Sequence, residues 1–557
     1  MESNSNRCEV GDGGVWRTNV ADASPGQGYK FWIKNGEREF YRIDPRAREV
    51  TNSVGHGVIV DPVFDWQEDQ FATPPFNEMV IYELHVGTFN GSDEAVGDFA
   101  KAIEKLPYLK ELGINAIELM PIAEFAGDYS WGYNPAHPFS VETAYGGPKE
   151  LKRFIREAHQ QGIAVIIDVV YNHFGPSDLD LWQFDGWSEN GKGGIYFYND
   201  WRSSTPWGDT RPDYGRGEVR QYIYDNAMMW LDEFHADGLR YDMTLFMRSV
   251  DGNEHNSISE GFSLAQWINR DIAAKYPGKI TIAEDLQNNR LLTECESLGG
   301  ANFSSQWDAQ FVHPIREQII LVEDSHRSMT IVRDAIEHKY NLDVFQRVIY
   351  TESHDEVANG KQRVVSEIDP SESPNRYAVK RSTLGACLMF TAPGIPMLMQ
   401  GQEFLRDKWF CDTRQIDWGR AETYASVVQL YHDMICLRRN LDGKTAGLTG
   451  QHVNVFQVDD QNKVLAMHRW KEGGPGDDVC VIMKFSEFAL ENYRIGFPRP
   501  GLWQLRFNGD ATVYGESFDG MRVGEVTAEP IREGFMEFSA PINIGAYSCL
   551  VFSQNRE

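Results

Sequence analysis

From residue 79 onward the chain alternates between short apolar runs and longer stretches in which apolar positions recur every three or four residues. Residues 79–84 and 116–120 are apolar runs of strand length, and between them Phe99-Ala100-Lys101-Ala102-Ile103-Glu104-Lys105-Leu106 has helical spacing. A period that moves from two to 3.6 and back is the pattern of strands joined by crossover helices. The same alternation predicts strands over 164–170, 237–241, 280–283, 305–308, 346–351 and 396–400, with a helix around 151–158 leading into the third. Eight such units predict an α/β fold, a (β/α)8 TIM barrel.

The flanks lack this alternation. Residues 1–75 hold short apolar segments, such as 29–34 and 58–60, broken by Gly, Pro and Asn, which predicts a small N-terminal β-domain. Strands return at 453–456, 479–483 and 548–552, predicting a C-terminal antiparallel β-sandwich over 441–557. The barrel then spans 76–440, a division that suits 557 residues. Residues 174–217 are aromatic and Gly-rich with no helical period, and loops of that length in a compact domain are usually functional.

Candidate chemistry sits at the strand ends. In Asp237-Gly238-Leu239-Arg240-Tyr241-Asp242, side-chain alternation turns Arg240 and Asp242 the same way, and the adjacent cation favours the ionised carboxylate. Tyr241 between them should point into the barrel wall. Three further apolar runs end in polar groups: Asp168-Val169-Val170-Tyr171-Asn172-His173, Ile280-Thr281-Ile282-Ala283-Glu284-Asp285 and Val348-Ile349-Tyr350-Thr351-Glu352-Ser353-His354-Asp355. All strand ends of a barrel face one mouth, so Asp242, Glu284 and Asp355 should converge there. Mutual repulsion should leave at least one protonated, as an acid catalyst requires.

In order and content, these four segments resemble the signature regions of the α-amylase superfamily, glycoside hydrolase family 13, over about 78–440. The resemblance implies retaining cleavage of α-1,4 glucosidic bonds, with Asp242 as nucleophile, Glu284 as acid/base and Asp355 as the carboxylate that binds sugar hydroxyls. It places Asp168, His173, His354 and Arg240 in the substrate-binding set, with Arg240 orienting Asp242. Trp131-Gly132-Tyr133-Asn134-Pro135 resembles the W-G-Y-x-P segment of branching enzymes and trehalohydrolases. Tyr133 should therefore lay its ring against a glucose and leave its hydroxyl to solvent. Trp182, Phe184, Trp187, Tyr196, Phe197, Tyr198, Trp201 and Trp207 supply rings for a polymer groove. Asn172 occupies the position of a calcium ligand in many α-amylases, but no partners for a metal are evident and no cofactor is expected. Residues 29–32 and 44–48 look like the tail of a family 48 carbohydrate-binding module.

The acceptor of the glucosyl group decides the activity. Ser353-His354-Asp355-Glu356-Val357, the segment ending in Gln400-Gly401-Gln402-Glu403-Phe404, and Phe507-Asn508-Gly509-Asp510-Ala511-Thr512-Val513-Tyr514-Gly515 resemble segments of 1,4-α-glucan branching enzymes, which transfer to a glucan 6-hydroxyl. Tyr145-Gly146-Gly147-Pro148 and the stretch 170–176 look more like maltooligosyl-trehalose trehalohydrolase, so a hydrolase of that or the α-amylase type is the alternative. A non-catalytic glucan-binding protein is a third reading, against which both carboxylates are present.

Composition narrows the partners. A formal charge of −29 opposes binding to nucleic acid or an anionic membrane, both of which call for a basic surface. A neutral polymer, an α-1,4-glucan such as amylose, glycogen or a maltooligosaccharide, is compatible with it. The first residues are polar and acidic, and no run of 18 apolar residues occurs. Seven scattered cysteines without a C-x-x-C pair fit a reducing compartment, so a cytoplasmic protein is expected. Nothing in the sequence indicates an oligomeric state.

Overall fold

The computed structural model describes residues 6–92 and 95–556; the polar start at 1–4 lies outside them. Eight parallel strands close into a barrel: β1 (Ile81–Leu84), β2 (Ala116–Leu119), β3 (Ala164–Val169), β4 (Gly238–Tyr241), β5 (Ile280–Ala283), β6 (Ser305–Trp307), β7 (Arg347–Ile349) and β8 (Ile395–Met399), with β8 pairing back onto β1. Several are shorter than the apolar runs that predict them. In β7 only three of the six expected residues pair, because the chain leaves the ladder before the polar residues it delivers to the mouth.

Gly238 opens β4 for a steric reason. A Cβ there would lie 2.4 Å from Ile280 Cγ2 and 2.5 Å from the Ile280 carbonyl oxygen. Any side chain would push β4 off β5, and with it Arg240 and Asp242.

The C-terminal region is a six-stranded antiparallel sheet covered on one face by the pair Leu490–Phe497 and Phe538–Ile544. Alternate residues explain its unbroken apolar runs. Cys480, Ile482, Leu550 and Phe552 face the sandwich core, while Val479, Val481, Met483, Cys549 and Val551 join the core shared with the barrel. Both faces are therefore dry, which is why the strands show no polar alternation. The joint also holds a fully buried ion pair, Lys380 Nζ to Asp510 Oδ1 at 2.6 Å, which gives the 507–515 segment a docking role.

The N-terminal region is built of β-strands, as expected. Among the described residues it forms three separate two-stranded ribbons with a small buried cluster of Ile43, Ala47 and Val50. A lone ribbon is marginal in water, so this region leans on the segment inserted after β3. Asn35, Arg38 and Arg42 donate hydrogen bonds to the backbone carbonyls of Asp185, Gly186, Phe184 and Gln183 at 2.9–3.0 Å. Among the described residues no helix is long and apolar enough to cross a membrane.

Candidate active site

The barrel mouth is organised by one buried guanidinium. Arg240 is fully enclosed; its Nη1 lies 2.6 Å from Asp168 Oδ2 and 3.2 Å from Asp242 Oδ1, and its Nη2 lies 2.7 Å from Glu284 Oε2. The Trp307 ring backs it, with its centroid 4.3 Å from the guanidinium carbon. Strand register explains part of this, since Asp168 and Arg240 are direct partners across β3 and β4. Arg240 thus does more than orient Asp242, because it joins three carboxylates from three successive strands. Tyr241, between Arg240 and Asp242, packs edge-on against Tyr171 and Phe303 in the wall, as its place in the alternation requires.

Asp242 is held from the other side by Asn172, whose Nδ2 donates to Asp242 Oδ2 at 2.7 Å and to its backbone carbonyl at 2.8 Å. Directly after Asp242 the chain bends through Met243 at φ 36°, ψ 60°, a left-handed conformation that costs a non-glycine residue free energy and tends to mark functional turns. The bend aims the Met243 backbone N–H at Glu284 Oε2, 3.0 Å away.

Electrostatics separate the carboxylates. Burial raises Asp242, partly offset by the Arg240 charge, to about 6. Burial likewise raises Glu284, again against Arg240, to about 7. The Arg240 charge favours the Asp242 anion as the sequence suggests, but desolvation is the larger effect, so Asp242 is ionised at pH 7 by a narrow margin. Glu284 is the group that keeps a proton near neutrality. Asp168 is also pushed up by burial, to about 6. Asp355, after β7, is the accessible carboxylate, its side chain 45% exposed and its Oδ2 3.7 Å from His354 Nε2.

The remaining sugar-binding candidates border the same space. Tyr133 stacks on His354 with centroids 5.0 Å apart and a 21° interplanar angle. Its hydroxyl is not left to solvent, however, and donates to Asp168 Oδ2 at 2.8 Å. The buried Asp168 oxygen that already accepts from Arg240 Nη1 accepts the hydrogen bond that solvent was expected to accept. His173 stacks on Trp207 at 4.5 Å, with Nδ1 2.5 Å from Asn172 Oδ1 and Nε2 3.2 Å from Asn134 Oδ1. Burial, then the Arg211 charge, pull it down to about 3, so it is neutral.

Asn172 does not suit a cation. Its nitrogen faces Asp242 and its oxygen faces His173, whereas calcium needs six to eight oxygen ligands. Among the described residues no group of three or more His, Cys, Asp or Glu is arranged to hold a metal. Of the aromatic cluster, Trp207 reaches the site, Phe197 and Tyr198 are buried in the inserted segment, and Trp187 and Trp201 are exposed.

Sequence reasoning missed Glu83, Glu118 and Trp307. Glu83 and Glu118, register partners on β1 and β2, are buried below the site. Burial lifts Glu118 well above the usual carboxylate range, against the opposing Arg240 charge. Both are carboxylates near the end of an apolar strand, the signal that found Asp242 and Glu284. Trp307 carried no such signal.

Comparison with known proteins agrees with this geometry. Residues 83–183 match the α-amylase catalytic domain and residues 456–555 match the α-amylase C-terminal all-beta domain. The 1,4-alpha-glucan branching enzyme GlgB of Oceanobacillus iheyensis is 29% identical over 558 residues, covering 93% of this chain and 84% of that one. The enzyme of the same name from Corynebacterium efficiens is 30% identical over 544 residues, covering 91% and 71%. Among solved structures, the type I pullulanase of Bacillus subtilis superposes with a TM-score of 0.76 at 20% identity over 99% of this chain and 80% of that one, which shows a shared fold. With a closed eight-stranded barrel, an all-β C-terminal domain and these relatives along almost its whole length, the chain belongs to the 1,4-alpha-glucan branching enzyme family of the α-amylase superfamily.

Proposed function

We propose that this protein cleaves α-1,4 bonds in a glucan and transfers the released chain to a 6-hydroxyl, with Asp242 as nucleophile and Glu284 as acid/base. The observation that carries the assignment is the single Arg240 guanidinium holding both carboxylates while burial keeps Glu284 protonated to higher pH than Asp242. In the first step Glu284 gives its proton to the glycosidic oxygen. That C–O bond breaks, and an Asp242 oxygen bonds to the anomeric carbon. In the second step the Glu284 carboxylate takes the proton of an acceptor 6-hydroxyl, whose oxygen displaces Asp242. Two inversions leave the α configuration unchanged. Retention calls for roughly 5–5.5 Å between the two carboxyl groups, a spacing compatible with one guanidinium touching both.

Around this pair, Asp355 is placed to accept from sugar hydroxyls in the open part of the mouth, and Tyr133 and His354 form the stacked wall. A glucan substrate also suits the N-terminal ribbon, where Trp32 and Tyr41 face each other across two strands and are 51% and 64% exposed. Seven free thiols, three of them buried, accord with a cytoplasmic setting.

The test is incubation with amylose, counting reducing ends before and after an α-1,6-specific debranching treatment. Ends that appear only after debranching are the expected result. Ends that appear directly would make the protein a hydrolase.

The hydroxyl of Tyr133 leads to a separate expectation. Tyr133→Phe strips Asp168 of one donor, and one hydrogen bond is worth about 1 kcal/mol, so kcat/KM should fall roughly fivefold to tenfold. Tyr133→Ala also loses the ring and should fall at least about tenfold further. A Phe variant equal to wild type in steady-state kinetics would show the Asp168 contact to be idle.

A further inference from the structure

We propose that Glu83 is a positioning residue that keeps His354 an imidazolium, so that its Nε2–H is a fixed donor to the sugar. The proposal rests on the reading of this mouth as the glucan-cleaving site. It assigns work to a residue outside the four strand-end segments that carry Asp168, Asp242, Glu284 and Asp355.

Glu83, on β1, is 1% exposed and gives both of its oxygens to His354, which is 2% exposed. Oε2 accepts from the His354 backbone N–H at 3.0 Å, and Oε1 lies 2.5 Å from Nδ1. An ionised carboxylate can only accept, so Nδ1 carries a hydrogen. Nε2 is the remaining end of the ring, and 3.7 Å from it is a second carboxylate oxygen, Asp355 Oδ2. In a neutral ring with Nδ1–H, Nε2 would be a bare acceptor beside another acceptor, and a sugar hydroxyl between them could satisfy only one of the two. A doubly protonated ring resolves the conflict: Nε2–H donates to the sugar oxygen, and that hydroxyl donates to Asp355.

The charges around the ring have both signs. Burial opposes the cation and so does Arg240, but Asp355 and Glu83 outweigh them and push His354 up to about 9. Asp168 adds negative charge on the barrel side, while Glu118, raised by burial, adds less than a free carboxylate would. His85 is pulled down to about 4, chiefly by burial, and contributes no competing cation. The Tyr133 face stacked on the ring is a further stabilising neighbour for a cation. An unfolded histidine titrates near 6.5, so the interaction's contribution to stability is complete below about that pH and is lost as pH rises through about 9.

The test reads His354 directly. Protein labelled with 13C-histidine is titrated by NMR from pH 6 to 10, with the His354 resonance assigned by its loss in His354→Gln. We expect a wild-type midpoint above pH 8, and in Glu83→Gln a midpoint at least one unit lower. In kinetics, kcat/KM for amylose falls first as Glu284 loses its proton, then steepens to a slope of two where His354 does. Glu83→Gln should bring the steepening below pH 8 and lower kcat/KM at least tenfold at pH 7.5. A purely structural role would lower activity and leave the steepening in place, which would overturn the proposal, as would a wild-type midpoint below pH 7. The wild-type titration decides even if Glu83→Gln does not fold. Because it needs no turnover, its outcome is separate from whether amylose is branched, hydrolysed or untouched.

Discussion

Glu284→Gln and Asp242→Asn are each expected to lower kcat on amylose at least about a thousandfold, a loss of ~4 kcal/mol of transition-state stabilisation. Both exchanges keep shape and hydrogen-bonding capacity, so thermal midpoints should move little. They remove different halves of the reaction and are separable. An α-maltosyl fluoride needs no proton on its leaving group, so Glu284→Gln should still form the glucosyl-enzyme from it, whereas Asp242→Asn should not. The pH profile follows from the same pair. Activity needs Asp242 ionised and Glu284 protonated, so kcat/KM should rise through about 6 and fall through about 7. The two limbs belong to a coupled dyad, and Glu284→Gln should abolish the falling one. Either variant retaining more than about a tenth of the activity, less than ~1.4 kcal/mol, would remove that residue from its role.

Arg240→Met should be the most destabilising single change at the mouth. It leaves Asp168, Asp242 and Glu284 buried without their common cation, and removing one partner of a buried ion pair costs about 3–5 kcal/mol. The size of the loss should depend on pH. Without the arginine the folded-state carboxyl pKa values rise further above their unfolded values. Such groups favour the folded state at low pH and lose that contribution as pH rises through their folded values. The deficit in thermal midpoint against wild type should therefore be small near pH 5 and widen through pH 6 to 8. Arg240→Lys supplies charge without a planar fork that can reach three carboxylates. It should recover part of the stability and little of kcat. A deficit independent of pH would mean that packing against Trp307, and not charge, is what Arg240 contributes.

The parts of this protein legible from sequence are those that a short segment specifies by itself. Eight strand-length runs separated by stretches of helical period predict the barrel, four of them end in polar residues, and the alternation in 237–242 turns Arg240 and Asp242 to one side. What escaped depends on distant parts meeting. The Tyr133 hydroxyl finds Asp168 only because the loop after β2 folds over β3. The balance that raises Asp242 despite Arg240 is set by burial, which no local pattern records. The strand pattern predicts the N-terminal ribbons but not that they are anchored by Asn35, Arg38 and Arg42 on the backbone of the segment after β3, because pattern reports pairing and not packing partners.

The two-faced C-terminal sheet also bears on how the molecule comes apart. Alternate residues of the same strands serve the sandwich core and the barrel core, so a slip of one residue would put each side chain into the wrong interior. Detaching the sheet would wet an apolar face and strand the buried Lys380–Asp510 pair. The barrel and the all-β region are therefore expected to unfold in one transition, which a single calorimetric peak would check. Opening the joint to admit a long glucan would expose that shared core, so the burden of accommodating one falls on the loops of the mouth.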